Sequence, residues 1–274
     1  MAPRALTFAG SDVSGGAGIA ADLKMFEEYG VFGASVLTCI VTFDPQKGFE
    51  HAMEFFSEDV VRTQLESALA IHDFDVIKSG MLGTVESALV LAEHVKSNEL
   101  PYVLDPVLVC KGAGTMVDLK DLFVQNLVPH ATVVTPNLEE AGTLAGIGEI
   151  TDVEGMQEAA RVIHGQGAKN VIVKGGARLA GGDAIDVIFD GQTFTTLTTG
   201  KVNNELVNGA GCSFASAIAA GVATGLDIVD AAVKAKTIVA HGIANSVPNA
   251  IGVNSLLHPA ARCHATGEIT VTVG

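Results

Sequence analysis

Short apolar runs with no polar face recur along this chain, each followed by a segment of helical periodicity, and that alternation limits the folds open to it. The first run, Ala5-Leu6-Thr7-Phe8-Ala9, predicts a strand buried on both faces. A glycine-rich turn, a helix over about 17–29 and a strand over 35–42 complete a βαβ unit. Ser57 predicts the cap of a helix carrying Val60, Val61, Leu65, Ala68 and Leu69, and the chain returns as a strand over 75–78. Thr84 predicts a cap for a helix over 87–95; strands are expected over 102–104, 131–134 and 171–173, with a helix over 153–164 before the last. Two alternating stretches, 184–189 and 193–198, joined by Asp190-Gly191, predict a hairpin at the sheet edge. The expected fold class is therefore α/β: a mostly parallel sheet with helices on both faces. No linker or repeat interrupts the pattern, so a single domain over 1–274 is expected.

Composition narrows the function. The chain is 48% hydrophobic with 31 glycines and no tryptophan, which suits helices packed closely on a sheet better than an aromatic-rich binding surface. Sixteen Lys and Arg against 31 Asp and Glu leave a formal charge of −15, which argues against nucleic acid or an anionic membrane as partner. A phosphate ligand must then be held by local devices. Cys39, Cys110, Cys212 and Cys263 are widely spaced without a CxxC pair, and the start MAPRALTFAG lacks a secretory apolar core, so reduced thiols and a cytoplasmic location are expected. Leu206 to Leu226 is uncharged over nearly a membrane span, but its glycines, Asn208 and the lack of flanking basic anchors argue against insertion.

Ligands of open α/β sheets bind at the carboxyl ends of the strands. Those ends here carry Gly10-Ser11-Asp12, Gly80-Met81, Asp105-Pro106, Pro136-Asn137 and Lys174-Gly175-Gly176. Each has a plain structural explanation, such as a turn for Asp12 or a helix cap for Asn137, but their recurrence predicts one polar rim. The segment Asn208-Gly209-Ala210-Gly211-Cys212-Ser213, ahead of the small-residue run 214–226, predicts converging backbone N–H groups at a helix N-terminus. A cysteine at such a place is expected to ionise more easily and to serve as base or nucleophile, unless it is an inert core residue. The alternative of a dinucleotide-binding dehydrogenase rests on Gly16-Ala17-Gly18-Ile19-Ala20-Ala21 with Asp44, and leaves Lys174, Asn137, Glu140 and the Cys212 turn without roles. No G-x-x-x-x-G-K-[ST] motif is present, which excludes a P-loop enzyme.

Six strings occur in order: AGSDVSGGAGIAADLKMFEEYG (9–30), KSGMLGT (78–84), DPVLVCKG (105–112), TPNLEEA (135–141), VKGG (173–176) and NGAGCSFASAIAAG (208–221). Together they resemble the hydroxymethylpyrimidine kinase and pyridoxal kinase branch of the ribokinase-like superfamily, nearly end to end, and most of all its two-cysteine bacterial pyridoxal kinases. The resemblance implies ATP-dependent phosphorylation of a hydroxymethyl group on a small heteroaromatic ring. ATP and magnesium are the implied cofactors, with potassium raised as a further ion, and a homodimer is the implied assembly.

By the same resemblance Cys212 stands where most of the superfamily has a catalytic aspartate and is expected to act as general base. Gly209, Ala210 and Gly211 are expected to hold the transferring phosphoryl group through their N–H groups. Asn137 and Glu140 match an N-x-x-E element that organises magnesium, with Asp105 at the same centre and Lys174 on the ATP phosphates. Gly10, Asp12, Asp22, Phe43 and Met81 are expected to line the acceptor. Phe43 replaces the glutamine with which pyrimidine kinases of this branch read the ring edge, which weakens the pyrimidine alternative. A lid loop is expected at about 107–115, and Cys110 within it is placed to add to the aldehyde of pyridoxal, a group the pyrimidine substrate lacks.

Overall fold

The computed structural model describes residues 2–108, 119–202, 206–264 and 269–274. Its elements run β1 (Arg4–Asp12), α1 (Gly18–Glu28), β2 (Phe32–Asp44), β3 (Glu50–Phe55), α2 (Glu58–Ile71), β4 (Val76–Ser79), α3 (Val85–Ser97), β5 (Tyr102–Leu104) and α4 (Lys120–Asn126). They continue with β6 (Val133–Val134), α5 (Leu138–Ala145), α6 (Val153–Gly165), β7 (Val171–Lys174), β8 (Asp183–Phe189), β9 (Phe194–Gly200), α7 (Ala210–Ala223), α8 (Ile228–Ala244), α9 (Ala260–Cys263) and β10 (Thr272–Val273). Ten strands form one sheet in the order β10-β9-β8-β7-β6-β5-β4-β1-β2-β3. The block from β7 to β2 is parallel; β3 and the β8-β9-β10 side are antiparallel.

Alternate strand residues feed two cores, as a sheet covered on both faces requires. Leu6, Ile77, Leu104, Val134 and Val171 pack with α2 to α6, whereas Ala5, Val76, Val103, Val133 and Ile172 pack with α1, α7 and α8. This is the ribokinase-like α/β arrangement that the motifs imply. Among the described residues no helix is long and apolar enough to cross a membrane; the uncharged stretch from Leu206 instead contains α7, whose apolar face is covered by the sheet, α1 and α8.

Several local expectations need correction. Ser57 sits at the start of α2 but its hydroxyl makes no capping bond, while Thr84 accepts the Ser87 N–H as expected. The hairpin does not end the sheet, because β10 pairs outside β9. α7 starts at Ala210, earlier than the small-residue run suggests, so Cys212 lies inside its first turn rather than ahead of the helix.

Candidate active site

Parallel strands β1, β4, β5, β6 and β7 end at one rim, and the polar residues that follow them gather there with the start of α7. At the end of β7, Lys174 is joined to Asp105, which follows β5, by an ion pair with Nζ 2.9 Å from Oδ1, and Thr135 donates to the same oxygen at 3.2 Å. Backbone pairing sets this geometry: the Lys174 N–H donates to the Pro136 carbonyl oxygen at 2.8 Å, which brings β7 against Asn137. Burial works against the Lys174 charge, but Asp105 and Glu140 outweigh it and raise its pKa.

Asn137 proves to be the cap of α5. Its Oδ1 accepts the N–H groups of Glu139 and Glu140, and Glu140 Oε2 accepts the Asn137 N–H at 2.8 Å, a reciprocal capping box. Burial pushes the Glu140 carboxyl up to about 7, Asp105 adds to that effect and Lys174 opposes it. Two carboxyl groups sharing too little positive charge are suited to a hard cation. Among the described residues no cluster of three or more His, Cys, Asp or Glu side chains is built for a metal. Asp105 and Glu140 are oxygen donors of the kind magnesium takes alongside water and phosphate oxygens.

The turn before α7 is held by backbone rather than side-chain contacts. Asn208 pairs with the 254–256 segment through N–H to Asn254 oxygen at 2.8 Å and oxygen to the Leu256 N–H at 3.1 Å. Gly209 then takes φ +82°, and a Cβ there would overlap the Gly16 carbonyl oxygen. Gly209→Ala is accordingly expected to cost more than about 1 kcal/mol in urea unfolding and to lower phosphoryl transfer, because the turn must back away from the β1–α1 loop. No side chain caps α7, so its leading amides face the rim, although Ala210 already donates to the Val207 carbonyl oxygen at 3.3 Å. A Cβ on Gly211 would stand 3.5 Å from Lys174 Nζ, which places that ammonium against the first turn of α7.

Cys212 is half-buried at this point. Contrary to the expectation of an easily ionised thiol, burial pushes it up to about 11; Asp105 and Asp22 add to the rise, and Lys78 and the Gly18 N–H oppose it. Helix-end charge is thus outweighed by desolvation.

Residues predicted to line the acceptor divide into two groups. Gly10 lies under Met81 and Cys39, whose Cε and Sγ would be 2.6 and 2.7 Å from any Cβ added to it, so glycine is needed for the close approach. Asp12 accepts the Ser14 N–H at 2.7 Å and the Asn208 amide at 3.2 Å, tying the β1–α1 loop to the α7 turn. Phe43 lies two residues beyond Val41, the register partner of Asp12, and packs edge-on against His51 at 4.6 Å. Asp22 belongs elsewhere: it is fully buried and bonded to Thr7, Ser216 and Lys78, so it cannot touch a ligand at the rim. Cys110 and most of the expected lid lie outside the described residues.

Two buried residues at the site escaped the sequence reading. Lys78 is the third residue of β4 and is fully buried beneath the rim; the signal was a lysine after the apolar pair Val76-Ile77 in a strand flanked by buried elements. His258 bonds Ser213, the residue after Cys212, at 2.9 Å, and burial lowers its pKa to about 4, so it stays neutral at pH 7; no local pattern marked it. Asp44, the acid invoked for a dinucleotide, caps a short turn by accepting the Gln46 N–H at 2.9 Å.

Comparison with known proteins identifies the family. The family described as phosphomethylpyrimidine kinase matches residues 12–256. Pyridoxine kinase of Bacillus subtilis is 40% identical over 262 residues, 94% of this chain and 97% of that protein. Hydroxymethylpyrimidine/phosphomethylpyrimidine kinase of Rhizobium meliloti is 38% identical over 238 residues, 86% and 88% of the two chains. The pyridoxal kinase structure from Staphylococcus aureus, in complex with AMP-PCP and pyridoxal, superposes with TM-score 0.93 at 39% identity and covers 100% of this chain and 99% of that one. A site built on these strand ends, a family match over most of the length and relatives above one-third identity overturn the dehydrogenase alternative, and the chain is a kinase, a phosphotransferase belonging to the phosphomethylpyrimidine kinase family.

Proposed function

We propose that this kinase transfers the γ-phosphoryl group of ATP to the hydroxymethyl group of pyridoxal, and of pyridoxine, with Cys212 as general base. One observation supports the assignment: Lys174, paired with Asp105, stands against Gly211 in the first turn of α7, next to Cys212, so a base, phosphoryl-binding amides and a phosphate-binding cation are brought to one turn of the helix.

The chain's residues divide the work. Lys174 holds the phosphate tail as a point charge, and the Gly211 and Cys212 amides receive charge on the equatorial oxygens of the transferring group. The Cys212 thiolate, the ionised fraction of the thiol, takes the hydroxyl proton and becomes the thiol as the alcohol oxygen bonds to phosphorus and the bond to the leaving ADP oxygen breaks. Asp105 and Glu140 would hold magnesium, which when bound offsets the repulsion between phosphate and an acidic protein. Met81 over Gly10 and the Phe43 ring offer apolar walls suited to a pyridine ring.

The choice of acceptor rests on Phe43 and Cys110, and the experiment is a direct comparison. With ATP and magnesium, pyridoxal is expected to be phosphorylated with a higher kcat/KM than hydroxymethylpyrimidine. Cys110→Ala is expected to lower kcat/KM for pyridoxal more than for pyridoxine, which has no aldehyde for the thiol to add to. A preference for the pyrimidine would assign the chain to the activity of its Rhizobium meliloti relative, and equal losses on both vitamers would remove the thiol-addition step.

A further inference from the structure

Beneath Cys212 lies an ion pair that the transfer chemistry does not use. Lys78 Nζ is 2.9 Å from each oxygen of Asp22, both side chains are wholly buried, and Asp22 also accepts from Thr7 and, at 2.6 Å, from Ser216. Stability alone does not account for it, because well-packed apolar residues of similar volume commonly do as well or better.

Its position does. α1 and α7 pack together with their N-terminal ends at the same rim. Gly18 is the first residue of α1, Cys212 lies in the first turn of α7, and the Gly18 N–H is among the groups that oppose the rise of the Cys212 thiol pKa. Four residues further along each helix, Asp22 meets Ser216. Residues i and i+4 share a helix face, so Cys212 and Ser216 lie one turn apart on α7, about 5–6 Å along the helix, and the Asp22–Ser216 bond ties the ion pair to the turn next to the one that carries the sulfur. The Lys78 ammonium points up toward the rim: a Cβ on Gly80 would lie 3.0 Å from it.

We propose that the buried Lys78–Asp22 pair is a positioning device for Cys212, in which Lys78 supplies a fixed positive charge beneath the sulfur and Asp22 holds that ammonium protonated and in place. The inference rests on Cys212 being the base. Among the described residues, the charged groups that act on the sulfur include Lys78 from β4, Lys174 from β7, Asp105 after β5 and Asp22 from α1. Of these, Lys78 opposes the effect of burial most strongly. Lys174 is committed to Asp105 and stands at the open rim, whereas Lys78 is sealed from solvent and its field is little screened by salt.

The test is the rate of Cys212 alkylation by iodoacetamide, read on its own peptide by mass spectrometry between pH 8 and 10, where the rate follows the thiolate fraction. In the paired neutral variant Lys78→Met/Asp22→Asn, the loss of Lys78, which favours the thiolate, outweighs the loss of Asp22, which disfavours it, so alkylation is expected to slow about threefold or more, with kcat falling in parallel, KM for ATP and alcohol nearly unchanged, and turnover recovering as pH rises. A folded double variant alkylated at the wild-type rate overturns the proposal. The wild-type protein provides a second arm: its alkylation rate is expected to hold from low salt to 1 M salt, and a marked salt dependence would assign the tuning to Lys174 and overturn the proposal as well. Slower alkylation with unchanged turnover would uphold the pair's influence on the sulfur while removing Cys212 as base, a result that Cys212→Ala with full activity would reach separately.

Discussion

Cys212→Ala is expected to lower kcat by about two to four orders of magnitude while leaving nucleotide binding nearly intact, because a positioned base contributes that much and the phosphate contacts come from backbone and Lys174. Steady-state transfer assays with calorimetric ATP binding would check both halves. The pH profile is more diagnostic than the loss. A thiol raised from 9.0 to about 11 is protonated in the free enzyme at neutral pH. Since kcat/KM reports the free enzyme, it is expected to climb roughly tenfold per pH unit from about pH 7 towards that value. Replacing the thiol by a carboxylate in Cys212→Asp should move this limb down by several pH units, since aspartate ionises at far lower pH. A wild-type profile flat above pH 7 would show that the thiol ionises below its usual range instead, and a limb that Cys212→Asp leaves unmoved would contradict Cys212 as the base.

Lys78→Met alone is expected to be among the most destabilising substitutions in the chain, at about 3–5 kcal/mol, because it strands Asp22 as an uncompensated charge in the core. For a domain with a typical stability of about 5–15 kcal/mol this is a large share, and urea unfolding would measure it. Adding Asp22→Asn should restore most of the loss, since the penalty belongs to the orphaned charge rather than to the missing attraction. If the double variant were as unstable as the single one, packing rather than charge would be the cause. The neutral pair is thus suited to functional work where the single variant is not.

Local pattern carried much of the architecture. Apolar runs, caps and glycine turns placed β1, α1, β4 to β7 and the β8–β9 hairpin, because burial on two faces and helical period are written into neighbouring residues. The edge strands β3 and β10 were not legible: β3 is polar and half-exposed, and β10 is two residues long, so neither bears a buried periodic signature. At the site, Asp105, Asn137 and Lys174 stood out as polar groups at strand ends, which is where the topology collects them, whereas the Cys212 turn was marked by its glycines before a helix and Glu140 by the family resemblance. Asp22 was expected to line the acceptor and Lys78 was given no role, since nothing local shows that an aspartate early in α1 is sealed in the core against a lysine 56 positions away.

What the sequence determined by itself was the alternation that compels a doubly covered parallel sheet, together with the motifs that mark its strand ends as a kinase site. Tertiary structure alone decided the electrostatics of that site. Whether a thiol at a helix end ionises depends on how much water the surrounding protein removes and on which buried charges lie beneath it, and those charges come from strands and helices far apart along the chain.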